Sequence, residues 1–354
     1  MSAVLERIRR IARLRPQRLL LAEAGDERVV RAAERLRRER LAEVAFVGSP
    51  AEVQATARRA GVSIAGLPLL DPSAGEEIER TARALRAARG DRLSTLDLER
   101  LSRDPVFQAA ARVREGLADC LVAGASRPTA DIVRAALWLI GLEAGVKTLA
   151  SFFLMVVPPV AGSGERVLVF ADCGVVPDPT REQLAEIACL AADRFALLTQ
   201  EVPHTALLSF STRGSAEHPR VEKVRDALRI ARERRPDLHL DGELQADAAL
   251  DPKVGSRKAK DSVVAGHANV LIFPDLDAGN IGYKLVERLG GARAYGPILM
   301  GLKQQANDLS RGCSAEDVVE VSTIACVLAG SSAAGSAEEA AARQRDGSPA
   351  RGES

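Results

Sequence analysis

Short apolar, β-branched runs alternate with longer helical stretches along most of this 354-residue chain. The runs are Leu19–Ala22, Val44–Val47, Cys120–Ala123, Arg166–Phe170, Ala206–Phe210, Val270–Phe273 and Ala292–Tyr295. Between them, Glu76–Arg89 puts Ile78, Ala82 and Leu85 on one helical face. Pro105–Glu115 opens with Asp104 as cap and Pro105 in the first turn, and Arg181–Leu198 follows a second cap, Thr180. Arg220–Arg232 and Ile281–Leu289 read as shorter helices. This alternation predicts mostly parallel sheets covered by helices on both faces. Ligands of such sheets sit in a cleft at the C-terminal ends of the strands.

Composition narrows the function classes. Hydrophobic residues make up 46% and charged residues 27%, enough apolar material for a sizeable core and two domains. A net charge of +1 and an aromatic content of 3% argue against nucleic-acid or membrane partners. Cys120, Cys173, Cys189, Cys313 and Cys326 are odd in number and form no C-x-x-C pair, so reduced cytoplasmic thiols are expected. His204, His218, His239 and His267 lack metal-ligand spacing, and no metal site is expected. The apolar run from Leu149 to Val157 ends at Pro158-Pro159, far short of the roughly 20 residues needed to span a bilayer. Met1–Leu14 mixes Arg with apolar residues at helical spacing and reads as a surface helix. The segment after Gly330 is rich in Ala, Gly, Ser, Glu and Arg without an apolar period, and residues 331–354 are expected to form a disordered tail.

The chemistry concentrates in Asn307-Asp308-Leu309-Ser310-Arg311-Gly312-Cys313-Ser314-Ala315-Glu316-Asp317. Ser314 followed three residues later by Asp317 reads as a capping box that starts a helix. The free N–H groups of that helix start and the Arg311 fork both favour an anion. A carboxylate beside an anion site suits a reaction that moves a proton while binding phosphate.

Asn307–Ser314 resembles the signature of the phosphate acetyltransferases (phosphotransacetylases). Further blocks resemble that family in its order: Leu208–Ser215, Asp241-Gly242-Glu243-Leu244-Gln245, Ala268–Leu276, Gly279-Asn280-Ile281-Gly282-Tyr283-Lys284 and Gly296-Pro297-Ile298. The likeness runs nearly unbroken from about Gly116 to Ala329 and is thinner before that. It implies two three-layer α/β domains with a cleft between them, like the isocitrate and isopropylmalate dehydrogenases. One domain would comprise residues 1–148 plus 300–330 and carry the Ser-Arg-Gly loop; the other would comprise 149–299. It also implies a homodimer.

The reaction implied is reversible acetyl transfer between acetyl phosphate and coenzyme A, with coenzyme A as a substrate and no tightly bound cofactor. In the family the thiol attacks directly within a ternary complex. A free thiol is mostly protonated at neutral pH, so a base near the sulfur helps, and the acyl phosphate and its oxyanion need cationic or N–H donors. By the resemblance Asp317 is that base. A carboxylate tied to N–H donors is a weaker base, so Asp317 also suits orienting the thiol or supporting Arg311; a plain capping role is the simpler alternative. Arg311 would hold the acyl phosphate, against the simpler alternative of a surface pair with Asp308. Ser310 would donate to the substrate or oxyanion, against a turn hydroxyl bonded to backbone. Arg86 and Arg134 match substrate-site arginines, and the turn from Ser126 to Thr129, at a strand end, reads as a phosphate cradle.

Three departures stand out: Arg127 where the family has His, Ala135 where it has Pro, and Gln304-Gln305-Ala306 before the signature. All are expected near the cleft. Two alternatives stay open: a phosphate butyryltransferase with a larger acyl pocket, and a non-catalytic acetyl-CoA-sensing domain. A decarboxylating dehydrogenase would need metal-binding aspartates and an adenine loop, neither of which is identifiable.

Overall fold

The computed structural model describes residues 2–159 and 164–346, with side chains as far as Ser331. The strands in chain order are β1 (Arg18–Leu21), β2 (Glu43–Val47), β3 (Leu69–Leu70), β4 (Cys120–Ala123), β5 (Ala150–Val157) and β6 (Arg166–Ala171). They continue with β7 (His204–Leu208), β8 (His239–Leu244), β9 (Val270–Ile272), β10 (Arg293–Met300) and β11 (Gln305–Asp308). They form a five-stranded sheet of order β11-β4-β1-β2-β3 and a six-stranded sheet of order β10-β5-β6-β9-β7-β8. The first sheet is parallel throughout. In the second, β5 pairs antiparallel with both β6 and β10, and the remaining pairs are parallel. The chain therefore leaves the first sheet after β4, builds the whole of the second, and returns through β11.

Helix starts follow local chemistry. Asp26, Asp104 and Thr180 cap the helices Glu27–Arg38, Pro105–Arg114 and Arg181–Thr199, accepting from the first-turn N–H groups as capping side chains do. The helix that begins at Ala315 is buried on all sides from residue 318 to 330, with Val318, Val319, Val321, Ile324, Ala325 and Leu328 in the core. Such a helix belongs in a core. It joins the two sheets: one buried apolar cluster runs from Leu19, Leu21 and Phe46 through Val318–Leu328 and Leu184–Phe195 to Phe152, Leu154 and Val169. Each large side chain buried there contributes about 1.5–3 kcal/mol, so the halves share a continuous interior.

The residues expected to be a tail behave differently. Helix Ala315–Asp346 runs on past residue 331, and residues 347–354 lie outside the described residues. Alanine, glutamate and arginine are strong helix formers even without an apolar stripe, which the absence of periodicity concealed. No helix among the described residues is long and apolar enough to cross a membrane.

The departures from the family pattern have structural partners of their own. Arg127 pairs with the capping residue Asp104 at 2.7 Å, Ala135 is fully buried, and the Gln304 amide donates to the Val113 carbonyl at 2.7 Å.

Candidate active site

The loop between β11 and the helix starting at Ala315 is fixed from within and from outside. Ser314 donates through its N–H and its hydroxyl to Asp317 Oδ2, both at 2.8 Å, and the Asp317 N–H donates back to Ser314 Oγ at 3.2 Å. The capping box is therefore formed. The Ser310 hydroxyl accepts from the Gly312 N–H at 3.3 Å, which leaves its own O–H free to donate outward. From outside, the Arg28 guanidinium donates to the carbonyls of Arg311 and Cys313 at 2.8 and 2.9 Å and to that of Ala125 at 2.7 Å. One side chain thus ties this loop to the turn after β4.

Arg311 itself is exposed and, among the described residues, has no ion-pair partner; Asp308 is turned elsewhere. Ser310, Arg311, Leu309, Asp308 and Thr129 line one side of a cavity of about 190 Å³. The opposite side comes from the second sheet and its surroundings: Phe153 on β5, Pro297 on β10, Cys173 and Gly174 after β6, and Asn280 and Tyr283 on helix Leu276–Gly290. The site therefore lies between the sheets, as a cleft between α/β layers should. Buried Asp172 shapes that far wall by accepting from Ser151 Oγ at 2.6 Å, Gly174 N–H at 2.9 Å and Val176 N–H at 2.8 Å. Tyr283 stacks on Phe153 with centroids 4.0 Å apart, and Asn280 donates to the Cys173 carbonyl at 3.1 Å.

Electrostatics sort the titratable groups. Burial raises the Cys173 thiol well above the ordinary thiol range and pushes Cys313 up to about 11. Both stay protonated and make poor nucleophiles. Burial also raises Tyr283 to about 12. Asp308, 1% exposed, is pushed up to about 7, chiefly by burial and further by the nearby Glu23 charge, against the pull of Thr129, the Leu309 N–H and Arg311. Among the described residues no cluster of His, Cys, Asp or Glu is arranged to hold a metal ion.

The other expected site residues scatter. Asp317 lines a separate cavity of about 280 Å³ with Ser314, Tyr295 and Arg293. Ser126 does not open a free cradle. The N–H groups of Gly124, Ala125, Ser126 and Arg127 donate to the Glu23 carboxylate at 2.6–3.0 Å, and the Ser126 hydroxyl joins them at 2.7 Å. A resident carboxylate thus satisfies the donors assigned to a phosphate. The neighbouring cavity, about 640 Å³, is lined by Glu23, Asp26, Glu52 and Asp71, a poor host for phosphate.

Arg134 is half exposed, with its guanidinium carbon 6.0 Å from the Trp138 ring centroid, and Arg89 lies over the same ring at 4.5 Å. Arg86 faces a different groove, beside Ile78, Ala82 and Leu98. The arginine that shares Trp138 with Arg134 is Arg89, three residues further along.

Reading the sequence missed Glu23, Arg28, Asp308, Asn280 and Tyr283 as site residues. Asn280 and Tyr283 lie in a block already notable for its family likeness, and Asp308 lies inside the signature. Glu23 and Arg28 act on partners far along the chain and carry no local mark.

Comparison with known proteins gives the family. The family profile for phosphate acetyl/butaryl transferase matches residues 3–326. The chain is 45% identical over 326 residues to a phosphate acetyltransferase of Paracoccus denitrificans, covering 90% of this chain and 97% of that one. It is 42% identical over 327 residues to that of Clostridium acetobutylicum, covering 92% and 98%. A solved phosphotransacetylase from Streptococcus pyogenes superposes with a TM-score of 0.86 at 40% identity, covering 93% of this chain and 99% of that one. The chain belongs to the phosphate acetyl/butaryl transferase family.

Proposed function

We propose that this protein is a phosphate acetyltransferase that moves an acetyl group reversibly between acetyl phosphate and coenzyme A. The observation that carries this reading is the Arg311 guanidinium, without an ion-pair partner among the described residues, beside the Ser310 hydroxyl in a cleft of about 190 Å³. Arg311 offers a planar fork to the phosphoryl oxygens, a geometry a lysine does not reproduce. The Ser310 O–H donates to the carbonyl oxygen as it gains charge, and such preorganised donors are worth several kcal/mol in a site shielded from water. Phe153, Tyr283 and Pro297 supply an apolar wall for the methyl group. The acetyl assignment is supported by the relatives named phosphate acetyltransferase.

Asp317, in the separate cavity it shares with Ser314, takes the thiol proton or orients the thiol of a coenzyme that reaches past the Ser310–Ser314 loop. The high pKa of the Cys173 and Cys313 thiols supports direct attack by the coenzyme sulfur over a thioester on the protein. Arg134, joined by Arg89 around Trp138, offers positive charge for the coenzyme phosphates.

The domain division belongs to this reading: residues 1–148 with 300–330, and 149–299. Its support is the membership of β1–β4 and β11 in one sheet and β5–β10 in the other. Homodimerisation comes from the family alone, and a cytoplasmic location rests on five free cysteines. The test is thioester absorbance with purified protein, coenzyme A and either acetyl or butyryl phosphate. Higher kcat/KM with acetyl phosphate is expected; preference for the butyryl donor would transfer the assignment to the sister activity.

A further inference from the structure

The proposed reaction leaves one proton unassigned. Thiol attack on acetyl phosphate forms a carbon–sulfur bond and breaks the carbon–oxygen bond to phosphate. The thiol gives up its proton to a base. The departing oxygen must gain one, because phosphate released as a trianion is a poor leaving group. Asp317 accounts for the first proton and nothing so far for the second.

We propose that Thr129 delivers that second proton to the departing phosphate oxygen and that Asp308, as its positioning partner, supplies it. The inference rests on the function proposed above. Thr129 and Asp308 line the same cavity as Ser310 and Arg311. The Thr129 hydroxyl is hydrogen-bonded to Asp308 Oδ2. Among the described residues Oδ1 of Asp308 has no partner in hydrogen-bond geometry, and only the electrostatic pull of the Leu309 N–H, Thr129 and Arg311 favours the anion. A carboxylate at this depth with one oxygen unmatched is costly as an anion and comfortable as a neutral acid.

Protonation decides which way the Thr129 hydroxyl points. When Asp308 is ionised, Thr129 donates to it and has no proton for the substrate. When Asp308 is protonated, its O–H donates to Thr129 Oγ1, and the threonine hydrogen turns to the phosphate. As the carbon–oxygen bond breaks, Thr129 passes its hydrogen to the departing oxygen and receives the Asp308 proton. The products are the thioester and hydrogen phosphate, with Asp308 ionised and Asp317 protonated; exchange with solvent restores both. The groups facing Asp308 are Glu23 from the segment after β1, Thr129 from the turn after β4, Arg311 in its own loop, and Cys173 and Tyr283 across the cavity. Glu23 favours the neutral acid and Arg311 opposes it. Cys173 and Tyr283 are themselves neutral at pH 7.

The geometry also explains a glycine. Gly124 has φ +109°, and a Cβ there would fall 2.1 Å from Asp308 Oδ1. The turn after β4 is bare where the carboxyl needs room.

The test compares wild type, Asp308→Asn, Thr129→Val, Thr129→Ser and the Asp308→Asn/Thr129→Val double variant, reading kcat and KM for acetyl phosphate from pH 5.5 to 9. Denaturation midpoints check that each variant folds. Wild-type kcat should fall as pH rises through about 7, where Asp308 loses its proton. Asp308→Asn should lower kcat on the order of 100-fold, as expected for a lost general acid, leave KM nearly unchanged and abolish that fall. Thr129→Val should match it, the double variant should be no worse than either, and Thr129→Ser should recover much of the rate. An Asp308→Asn enzyme that keeps the wild-type kcat and pH profile overturns the proton role, as does a double variant whose losses multiply. Wild type that forms no thioester overturns the function itself, and this inference with it.

Discussion

The Arg28 guanidinium donates to the main-chain carbonyl of Arg311 at 2.8 Å, so one arginine holds the backbone of another. The same side chain reaches the carbonyls of Ala125 and Cys313, and it is itself anchored by Asp26 at 2.6 Å. The loop that carries Ser310 and Arg311 is thereby clamped to the first sheet, while the Arg311 side chain has no ion-pair partner among the described residues. Arg28→Ala removes the clamp and its charged donors to the Arg311, Cys313 and Ala125 carbonyls. It should cost about 2 kcal/mol of stability, in line with hydrogen bonds to charged groups, and reduce kcat at least tenfold. Denaturant titration and steady-state kinetics on the same preparation check both.

Arg311→Lys keeps the charge and loses the fork. If the guanidinium grips two phosphoryl oxygens, the lysine variant should lose on the order of 10-fold in kcat/KM for acetyl phosphate and keep wild-type stability, because Arg311 makes no ion pair among the described residues. Equal kcat/KM would show that charge alone suffices.

Gly124→Ala should be far more damaging than its size suggests. The backbone sits at φ +109°, and a Cβ would come within 2.1 Å of Asp308 Oδ1 and 2.6 Å of the Leu309 nitrogen. Strain and overlap together should exceed ~3 kcal/mol. Thermal unfolding of the purified variant, or its failure to accumulate as soluble protein, is the readout.

Glu243 ties stability to pH in the second sheet. It accepts from Arg225 at 2.9 Å, the Gly214 N–H at 2.8 Å and Ser211 Oγ at 2.8 Å, and these bonds overcome burial to hold its pKa at about 2. The folded value lies below the unfolded one, so its stabilisation is fully present above an unfolded pKa of about 4.3 and is lost as pH falls toward about 2. Glu243→Gln should therefore lower stability by about 3 kcal/mol at pH 7 and flatten the pH dependence between pH 4.5 and 2. Urea unfolding across that range measures it.

Much of the fold was legible because its strands are apolar on both faces. Six of the expected runs overlap β1, β2, β4, β6, β7 and β9, and the seventh overlaps the start of β10. Strand β11 was not legible: Gln305, Asn307 and Asp308 are polar yet at most 1% exposed, so burial left no apolar mark. Strand β8 hides for a related reason, since buried Asp241 and Glu243 are satisfied by arginines from outside the strand. Strand β5 was noticed only as an apolar run too short for a membrane. The loop from Ser310 to Asp317 stood out in the sequence because hydroxyl, guanidinium and carboxylate crowd one segment, though the fold turns Asp317 into a separate cavity. The cradle at Ser126 was misread because its tenant, Glu23, comes from the other end of the domain. Arg86 was chosen from a family-like element, and only folding shows that Arg89, not Arg86, reaches Trp138.

The most direct test of the central claim is the initial rate of thioester formation from acetyl phosphate and coenzyme A, by purified wild type and Arg311→Gln side by side, with a chelator present. The account predicts rapid thioester formation by wild type and a loss in kcat on the order of 100-fold or more in the variant, with the fold intact. A variant as fast as wild type, or a wild type that forms no thioester, would contradict it.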